Sequence, residues 1–160
     1  MKSLCLLLAL SFSFSALAQD IFVVKKSKRI LNVLHFKANV DKCNFKSPPV
    51  KNNWVMGEEE GHEEQLSSQE RPYFTPKFGY VSDTEATFTM GALEKMQKKF
   101  KVKEIHVRLV NCKPKAYIEL QDQEVQIQEI FVQVNALMMP LNITVKGKYA
   151  DGSPAAVKLE

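Results

Sequence analysis

The sequence lacks every motif that would assign a reaction to it. Its 160 residues contain no nucleophile elbow, no phosphate-binding Walker loop, no HExxH zinc motif and no CxxC redox motif. Internal repeats, low-complexity segments and linkers are absent too. A chain of this length forms one domain, which excludes large α/β barrels and multidomain enzymes.

A strong excess of one charge is also missing. Lys and Arg number 22 against 18 Asp and Glu, a net charge of +4, and no basic stretch dominates. We therefore expect no nucleic-acid partner. Hydrophobic residues make up 45% of the chain, which is enough for a packed core and too much for a disordered protein.

The one long apolar run lies at the N-terminus. Lys2 precedes an apolar stretch over residues 4–14, and Ala16-Leu17-Ala18 is the small-residue pattern that signal peptidase reads. The run is too short for the alternative, a membrane anchor. The sequence thus predicts a signal peptide over residues 1–18 and a single domain over residues 19–160. That mature domain has no membrane span, and we expect it to be periplasmic or secreted.

Cysteine is scarce, with three residues, of which Cys5 lies inside the apolar run. In an oxidising compartment Cys43 and Cys112 are candidates for a disulfide, which would close a loop of about 70 residues. Two buried free thiols are the alternative. We expect the two Cα atoms to lie within the limit of about 7 Å that a disulfide requires. A catalytic cysteine needs a histidine partner, and neither cysteine has one nearby in sequence.

Alternation of apolar and polar residues dominates the rest of the chain. The predicted strands are residues 21–24, 34–40, 53–56, 78–81, 86–90, 105–110, 116–120, 125–134, 141–145 and 156–159. A change of phase within the strand over residues 125–134 predicts a β-bulge near Gln128-Glu129. Residues 65–71 and 91–100 are candidates for short helices. Frequent turns favour an all-β fold, a single antiparallel β-sandwich or barrel-like domain with at most one or two short helices.

The aromatic residues concentrate in the segment from Trp54 to Tyr80. Rigid aromatic rings and arginine are favoured at recognition surfaces, so the candidate ligand-binding residues are Trp54, His62, Arg71, Tyr73, Phe74 and Tyr80. Pro72 and Pro76 resist regular strand pairing, and we expect an exposed or half-exposed loop over the sheet. The alternative is that these aromatics fill the core.

Histidine and carboxylate residues give two further hypotheses. Five glutamates surround His62 within residues 58–64, but consecutive carboxylates do not point at one centre, so we predict a solvated turn and neither metal nor cofactor. His35 and His106 lie on polar strand faces, where each could form an acid–base pair with Glu119 or Glu129. We expect a non-enzymatic binding module for an unknown protein or small molecule. A small envelope hydrolase with such a pair is the alternative.

Seven short stretches carry a resemblance that covers most of the predicted mature chain. They are Ile21-Phe22-Val23, Ala38-Asn39-Val40-Asp41-Lys42, Asn53-Trp54-Val55-Met56, Glu63-Glu64-Gln65-Leu66, Arg71, Phe78-Gly79-Tyr80 and Ile130-Phe131-Val132-Gln133-Val134. In this order they resemble a family of short exported bacterial proteins catalogued as a domain of unknown function. The resemblance implies an all-β exported domain, and it implies no known activity, substrate or cofactor.

Overall fold

The computed structural model describes residues 18–26, 33–45, 54–57, 67–100 and 104–159. In chain order their elements are β1 (Ala18–Lys26), β2 (Val33–Asp41), β3 (Asn44–Phe45), β4 (Trp54–Gly57), α1 (Arg71–Phe74), β5 (Pro76–Ser82), β6 (Glu85–Met90), α2 (Gly91–Phe100), β7 (Ile105–Val110), β8 (Lys113–Leu120), β9 (Gln123–Val134), β10 (Pro140–Tyr149) and β11 (Pro154–Leu159). The predicted all-β fold is confirmed. No helix among the described residues is long and apolar enough to cross a membrane.

Strand β9 is the point at which the sheet divides. Its residues 123–127 pair with β8, and its residues 129–132 pair with β1, while β10 and then β11 follow on its other side. One branch continues through β8, β7, β6 and β5, and the other through β1 to β2, which also pairs with β3 and β4. The β1–β9 pair is parallel, so the sheet is mixed and not purely antiparallel.

The predicted bulge in β9 is confirmed, and it lies where the sheet divides. Against β10, Glu129 pairs with Lys146 and Ile127 pairs with Gly147, which leaves Gln128 without an opposite residue. Buried residues accordingly change from the phase of Val125 and Ile127 to that of Ile130. A bulge bends its strand and increases the local twist. Here it coincides with the exchange of β8 for β1 as the neighbour of β9.

The core lies between the two branches. Phe22 on β1 stacks on Phe36 of β2 with ring centroids 4.8 Å apart, and on Phe88 of β6 with centroids 5.5 Å apart. Each of these residues is at most 3% exposed. Aromatic rings bury large apolar areas, so this three-ring stack joins strands from both branches through one packed cluster.

Three hairpins turn through two residues that both have positive φ. These pairs are Lys42-Cys43, Asn111-Cys112 and Gln121-Asp122. Positive φ at both central positions is the requirement of the type I′ turn, whose twist matches that of the flanking strands. The second of these turns ends before Lys113 and Pro114, although proline is a common turn residue. Pro114 lies in β8, outside the residues 116–120 that pair with β9. Its missing N–H therefore interrupts no pairing between β8 and β9.

One of the two described helices begins later than its sequence signal, and the other has the predicted bounds. Residues 65 and 66 of the turn predicted over residues 65–71 lie outside the described residues. The carbonyl of Ser67 accepts the backbone N–H groups of Glu70 and Arg71, and α1 begins at Arg71. Pro72 lies in its first turn, where a proline costs no hydrogen bond. The candidate helix over residues 91–100 is confirmed as α2.

Candidate functional site

The predicted recognition segment is in large part structural, and Phe74 leaves the set of candidate ligand residues. Its side chain is fully buried, at 0% exposure, so it has no surface to offer a ligand. Tyr73 is half-buried and packs against the core, whereas Arg71, at the start of α1, is exposed. The expectation of a loop through this segment is therefore corrected: α1 and β5 occupy residues 71–74 and 76–82.

Three other candidate residues are placed only by their backbone or not at all. Trp54 begins β4 and pairs with Ala38 of β2, and Tyr80 of β5 pairs with Ala86. His62 and its glutamates lie outside the described residues. Among the residues that are described, no group of three His, Cys, Asp or Glu side chains converges to hold a metal ion.

A buried ion pair fixes this segment to the sheet. The Nζ of Lys26 on β1 donates to Glu70 Oε1 over 2.6 Å and lies 5.5 Å from the centre of the Phe74 ring. Burial alone would raise the Glu70 pKa, but the hydrogen bonds from Lys26 and Ser67 hold it below its ordinary value. Buried charges persist only when they are paired and hydrogen-bonded. This contact between residues 44 positions apart thus holds the start of α1 against β1.

Cys43 and Cys112 form a disulfide in the structure. Their Cα atoms are 4.6 Å apart, inside the limit set for the sequence prediction. Each cysteine is the second residue of a type I′ turn, so the bond joins the β2–β3 turn to the β7–β8 turn. Nearby, the backbone N–H of Phe45 on β3 donates to Asp83 O in the β5–β6 turn. These contacts tie the two branches of the sheet together at this end.

Both predicted histidines have carboxylate neighbours, but not the glutamates that the sequence suggested. His106 Nδ1 lies 3.1 Å from Glu85 Oε1, and His106 Nε2 lies 3.7 Å from Glu104 Oε1. Glu119 instead stands opposite Glu124 in the β8–β9 ladder. These pairings follow from strand order, since β6 and not β9 is the second neighbour of β7.

The second histidine, His35, is placed unfavourably for proton transfer. Its Nδ1 is 3.9 Å from Asp20 Oδ1, and its Nε2 is buried with no hydrogen-bond partner among the described residues. Glu129, the other predicted partner, binds Lys25 and Lys146, and these hydrogen bonds lower its pKa despite the opposing effect of burial. A general base must reach a substrate proton, which a solvent-inaccessible nitrogen does not.

A charged network covers the outer face of β6 to β9, and we call its residues Glu85, Arg108, Tyr117 and Glu124 the Arg108 network. Arg108 Nη1 donates to Glu124 Oε2 over 2.8 Å, its Nε is 3.6 Å from Glu85 Oε1, and the guanidinium lies 4.9 Å from the Tyr117 ring centre. Burial would lower the Arg108 pKa, but the two carboxylates raise it. Burial and then the Glu124 charge raise the Tyr117 pKa, so its hydroxyl stays protonated at neutral pH.

An open cavity of about 500 Å³ adjoins this network, and we call it the Tyr149 cavity. Its lining residues are Gln123, Glu124, Tyr149, Ala150, Asp151 and Ser153. They come from the start of β9, the end of β10 and the turn to β11, where three chain segments of one rigid sheet meet. Asp151 accepts two hydrogen bonds from Ser153, both through Oδ1, and these lower its pKa. The carboxylate is therefore ionised at neutral pH, and Oδ2 keeps its acceptor capacity.

Sequence reasoning missed both of these features. Alternation identifies His106, Arg108 and Tyr117 as outward-facing, but it does not identify the strand beside each one. The turn from Tyr149 to Ser153 lies between the predicted strands over residues 141–145 and 156–159, where alternation indicates no site. The available signal was the run Asp151-Gly152-Ser153, a turn sequence whose side chains bond their own backbone and remain at the surface.

A comparison with protein families covers most of the described chain. The sequence model of the family described as Domain of unknown function (DUF4833) matches residues 22–156, which extend from β1 into β11. The chain belongs to the DUF4833 family. Searches of curated proteins and of solved structures found no match for this DUF4833 chain. Its family region contains the disulfide, the Arg108 network and the Tyr149 cavity.

Proposed function

We propose that this DUF4833 chain is an exported, non-enzymatic binding module that holds a small polyhydroxylated ligand in the Tyr149 cavity. The observation that carries the proposal is the cavity itself, in which one aromatic residue stands among side chains that donate and accept hydrogen bonds. Ligand sites are concave and combine apolar surface with a few placed polar groups. Loops held by a rigid sheet are the usual place for such groups.

The chemistry of the lining favours hydroxyl groups over an anionic ligand. Asp151 and Glu124 contribute carboxylate acceptors, and Gln123 and Ser153 both donate and accept. An anion would meet two negative charges, of which Glu124 alone is paired with a guanidinium. Hydroxyl groups satisfy carboxylates, amides and hydroxyls alike, so a sugar-like molecule matches the lining best.

Export is supported by the sequence of residues 1–18 and by the disulfide. Disulfides persist in oxidising compartments and are rare in the cytosol. Strand β1 begins at Ala18, so cleavage after this residue would leave Gln19 to Lys26 to form the same ladder with β2. N-terminal sequencing of the protein from its native host tests this part of the proposal, and a mature chain that begins at Met1 would contradict it.

Titration followed by two-dimensional NMR tests the site. The protein beginning at Gln19 is titrated with neutral mono- and disaccharides, and we expect the backbone signals of residues 123–124 and 149–153 to shift together. Gln123→Ala removes one donor–acceptor group and should weaken binding about two- to tenfold. Gln128→Ala, an equally exposed change in the bulge of the same strand, is the matched control. Absence of shifts with every sugar, or shifts confined to other residues, refutes the proposed site.

The hydrolase alternative now rests on His106 and Glu85. Their 3.1 Å separation is within hydrogen-bond reach, as an acid–base pair requires. The second ring nitrogen, however, lies 3.7 Å from Glu104 Oε1, and His106 does not line the Tyr149 cavity, which favours the binding module. Assays with chromogenic ester and glycoside substrates separate the two functions. Turnover that His106→Ala abolishes, with folding unchanged, would establish the hydrolase in place of our proposal.

A further inference from the structure

Leu141 is exposed although its sequence phase predicts burial. Leu141, Ile143 and Val145 alternate along β10, and Ile143 and Val145 are 0% exposed, whereas Leu141 is 51% exposed. The expected inward position of Leu141 is therefore wrong. The reason is an irregularity in the β9–β10 ladder, where Pro140 pairs with Val134 and Asn142 pairs with Gln133, so that Leu141 has no opposite residue. A bulge of this kind redirects a side chain that would otherwise join the core.

A second exposed leucine lies in the adjoining turn, and the turn holds it in place. Leu137 is 63% exposed, yet its backbone N–H donates to Asn135 Oδ1 over 2.9 Å. Met139 N–H donates to the same oxygen over 3.0 Å, and Asn135 N–H donates to Met139 O. These hydrogen bonds fix the conformation of the turn, and Leu137 is exposed in that conformation. We call residues 137–141 the leucine tip.

Positive charge lies directly beside the leucine tip. Lys95 of α2 donates its ammonium to Pro140 O over 2.9 Å, which places a cation between the turn and Leu141. Lys98 and Lys99 follow Lys95 on the same helix. Among the described residues, exposed apolar surface and a cation therefore occupy the same end of the molecule.

We infer that the leucine tip docks on an anionic lipid bilayer, with Leu137 and Leu141 entering the interface and Lys95 meeting the lipid head groups. Shallow apolar insertion combined with basic residues is the physical basis of reversible membrane attachment. A protein partner is less well matched, since stable protein interfaces bury about 800 Å² on each side and the tip offers two leucines. The charge of Lys95 selects an anionic surface over a neutral one.

Vesicle co-sedimentation tests the inference. The protein beginning at Gln19 is used, so that the apolar residues 4–14 contribute nothing, and all described strands are retained apart from Ala18. We expect binding to phosphatidylcholine vesicles that contain about one third phosphatidylglycerol, weaker binding to pure phosphatidylcholine, and loss of this preference in about 1 M salt. No binding to the anionic vesicles overturns the inference.

Paired variants identify the surface that binds. The double substitution Leu137→Ser and Leu141→Ser should lower the partition coefficient about tenfold while the thermal stability stays nearly unchanged, since both side chains are exposed. Val81→Ser is the matched control, because Val81 is a comparably exposed apolar residue, at 52%, on β5. Unchanged binding by the double variant, or an equal loss with Val81→Ser, refutes the assignment.

A spectroscopic readout gives a test that does not depend on loss of binding. Leu137→Cys is labelled with an environment-sensitive fluorophore, and its emission should shift to shorter wavelength when anionic vesicles are added. The same label at Val81→Cys should not shift. A shift at both positions, or at neither, overturns the inference, and capture of an apolar protein partner without any vesicle response does so too.

Discussion

The Cys43–Cys112 disulfide should be a major source of the stability of this domain. The two residues are 69 positions apart, and the bond restricts the unfolded chain over that whole loop. In the chain-entropy treatment, closing a loop of this length contributes about 4 kcal/mol at 25 °C. We therefore expect the double substitution Cys43→Ala and Cys112→Ala to lower the free energy of unfolding by about 4 kcal/mol, or the Tm by roughly 10 to 15 °C.

The local geometry makes the interpretation of this change simple. Both cysteines have positive φ, 64° and 60°, and alanine adopts this conformation no more easily than cysteine does. Turn strain therefore cancels between the wild-type protein and the variant, and the measured difference reports the loss of the cross-link. Urea unfolding should also show a larger m value for the variant, because its unfolded chain is less compact.

Chemical reduction provides the matched control. Cys112 is exposed, so a thiol reductant reaches the bond, and the reduced wild-type protein should unfold at the same urea concentration as the double alanine variant. The variant itself should not respond to the reductant. A loss of stability below about 1 kcal/mol, or an unchanged m value, would refute the reasoning from loop entropy.

Three further predictions concern the interior and the bulge. Glu70→Gln removes the carboxylate from buried Lys26 and should lower the free energy of unfolding in urea at pH 7 by about 3 kcal/mol. Glu129→Gln, between surface lysines, should lower it by less than about 1 kcal/mol. Equal losses would contradict a stabilising role for the buried ion pair. Folding lowers the pKa of both carboxyls from the ordinary value of 4.5, so each carboxylate stabilises the folded state above pH 4.5. This stabilisation is lost as the pH falls through the folded-state pKa values. The stability of the wild-type protein should therefore decline in acid more steeply than that of Glu70→Gln. Gly147→Ala would place a Cβ 1.9 Å from Gln126 O, so it should lower the Tm by several degrees, and an unchanged Tm would show that the bulge can move.

The strand pattern was predictable because it is a local property. Val107 and Ile118 stand in alternation with polar residues, and this period-two pattern identifies a strand with one buried face whatever its neighbours are. The bulge at Gln128 was predictable for the same reason, since a change of phase within one strand is visible in the sequence. Leu141 shows the limit of this reasoning, because its bulge leaves the apolar alternation of β10 unbroken.

The candidate site was less predictable because it depends on which strands are neighbours. Arg108, Glu85 and Glu124 belong to three strands, and no local pattern brings them together. Phe74 illustrates the opposite error, in which an aromatic beside Arg71 looked like a recognition residue. Phe74 is buried beside the ion pair of Lys26 with Glu70, a contact across the chain that composition does not reveal.

The sequence by itself determined that the chain has an all-β fold and two cysteines suited to a bridge, because alternation, turn residues and cysteine count act locally or through composition. Only the tertiary structure decided that β9 exchanges β8 for β1 at Gln128 and that the Tyr149 cavity lies beside Arg108. The physical reason is that strand pairing is chosen by the packing of the whole core. The side chains that face solvent together are therefore fixed by strands far apart in the sequence.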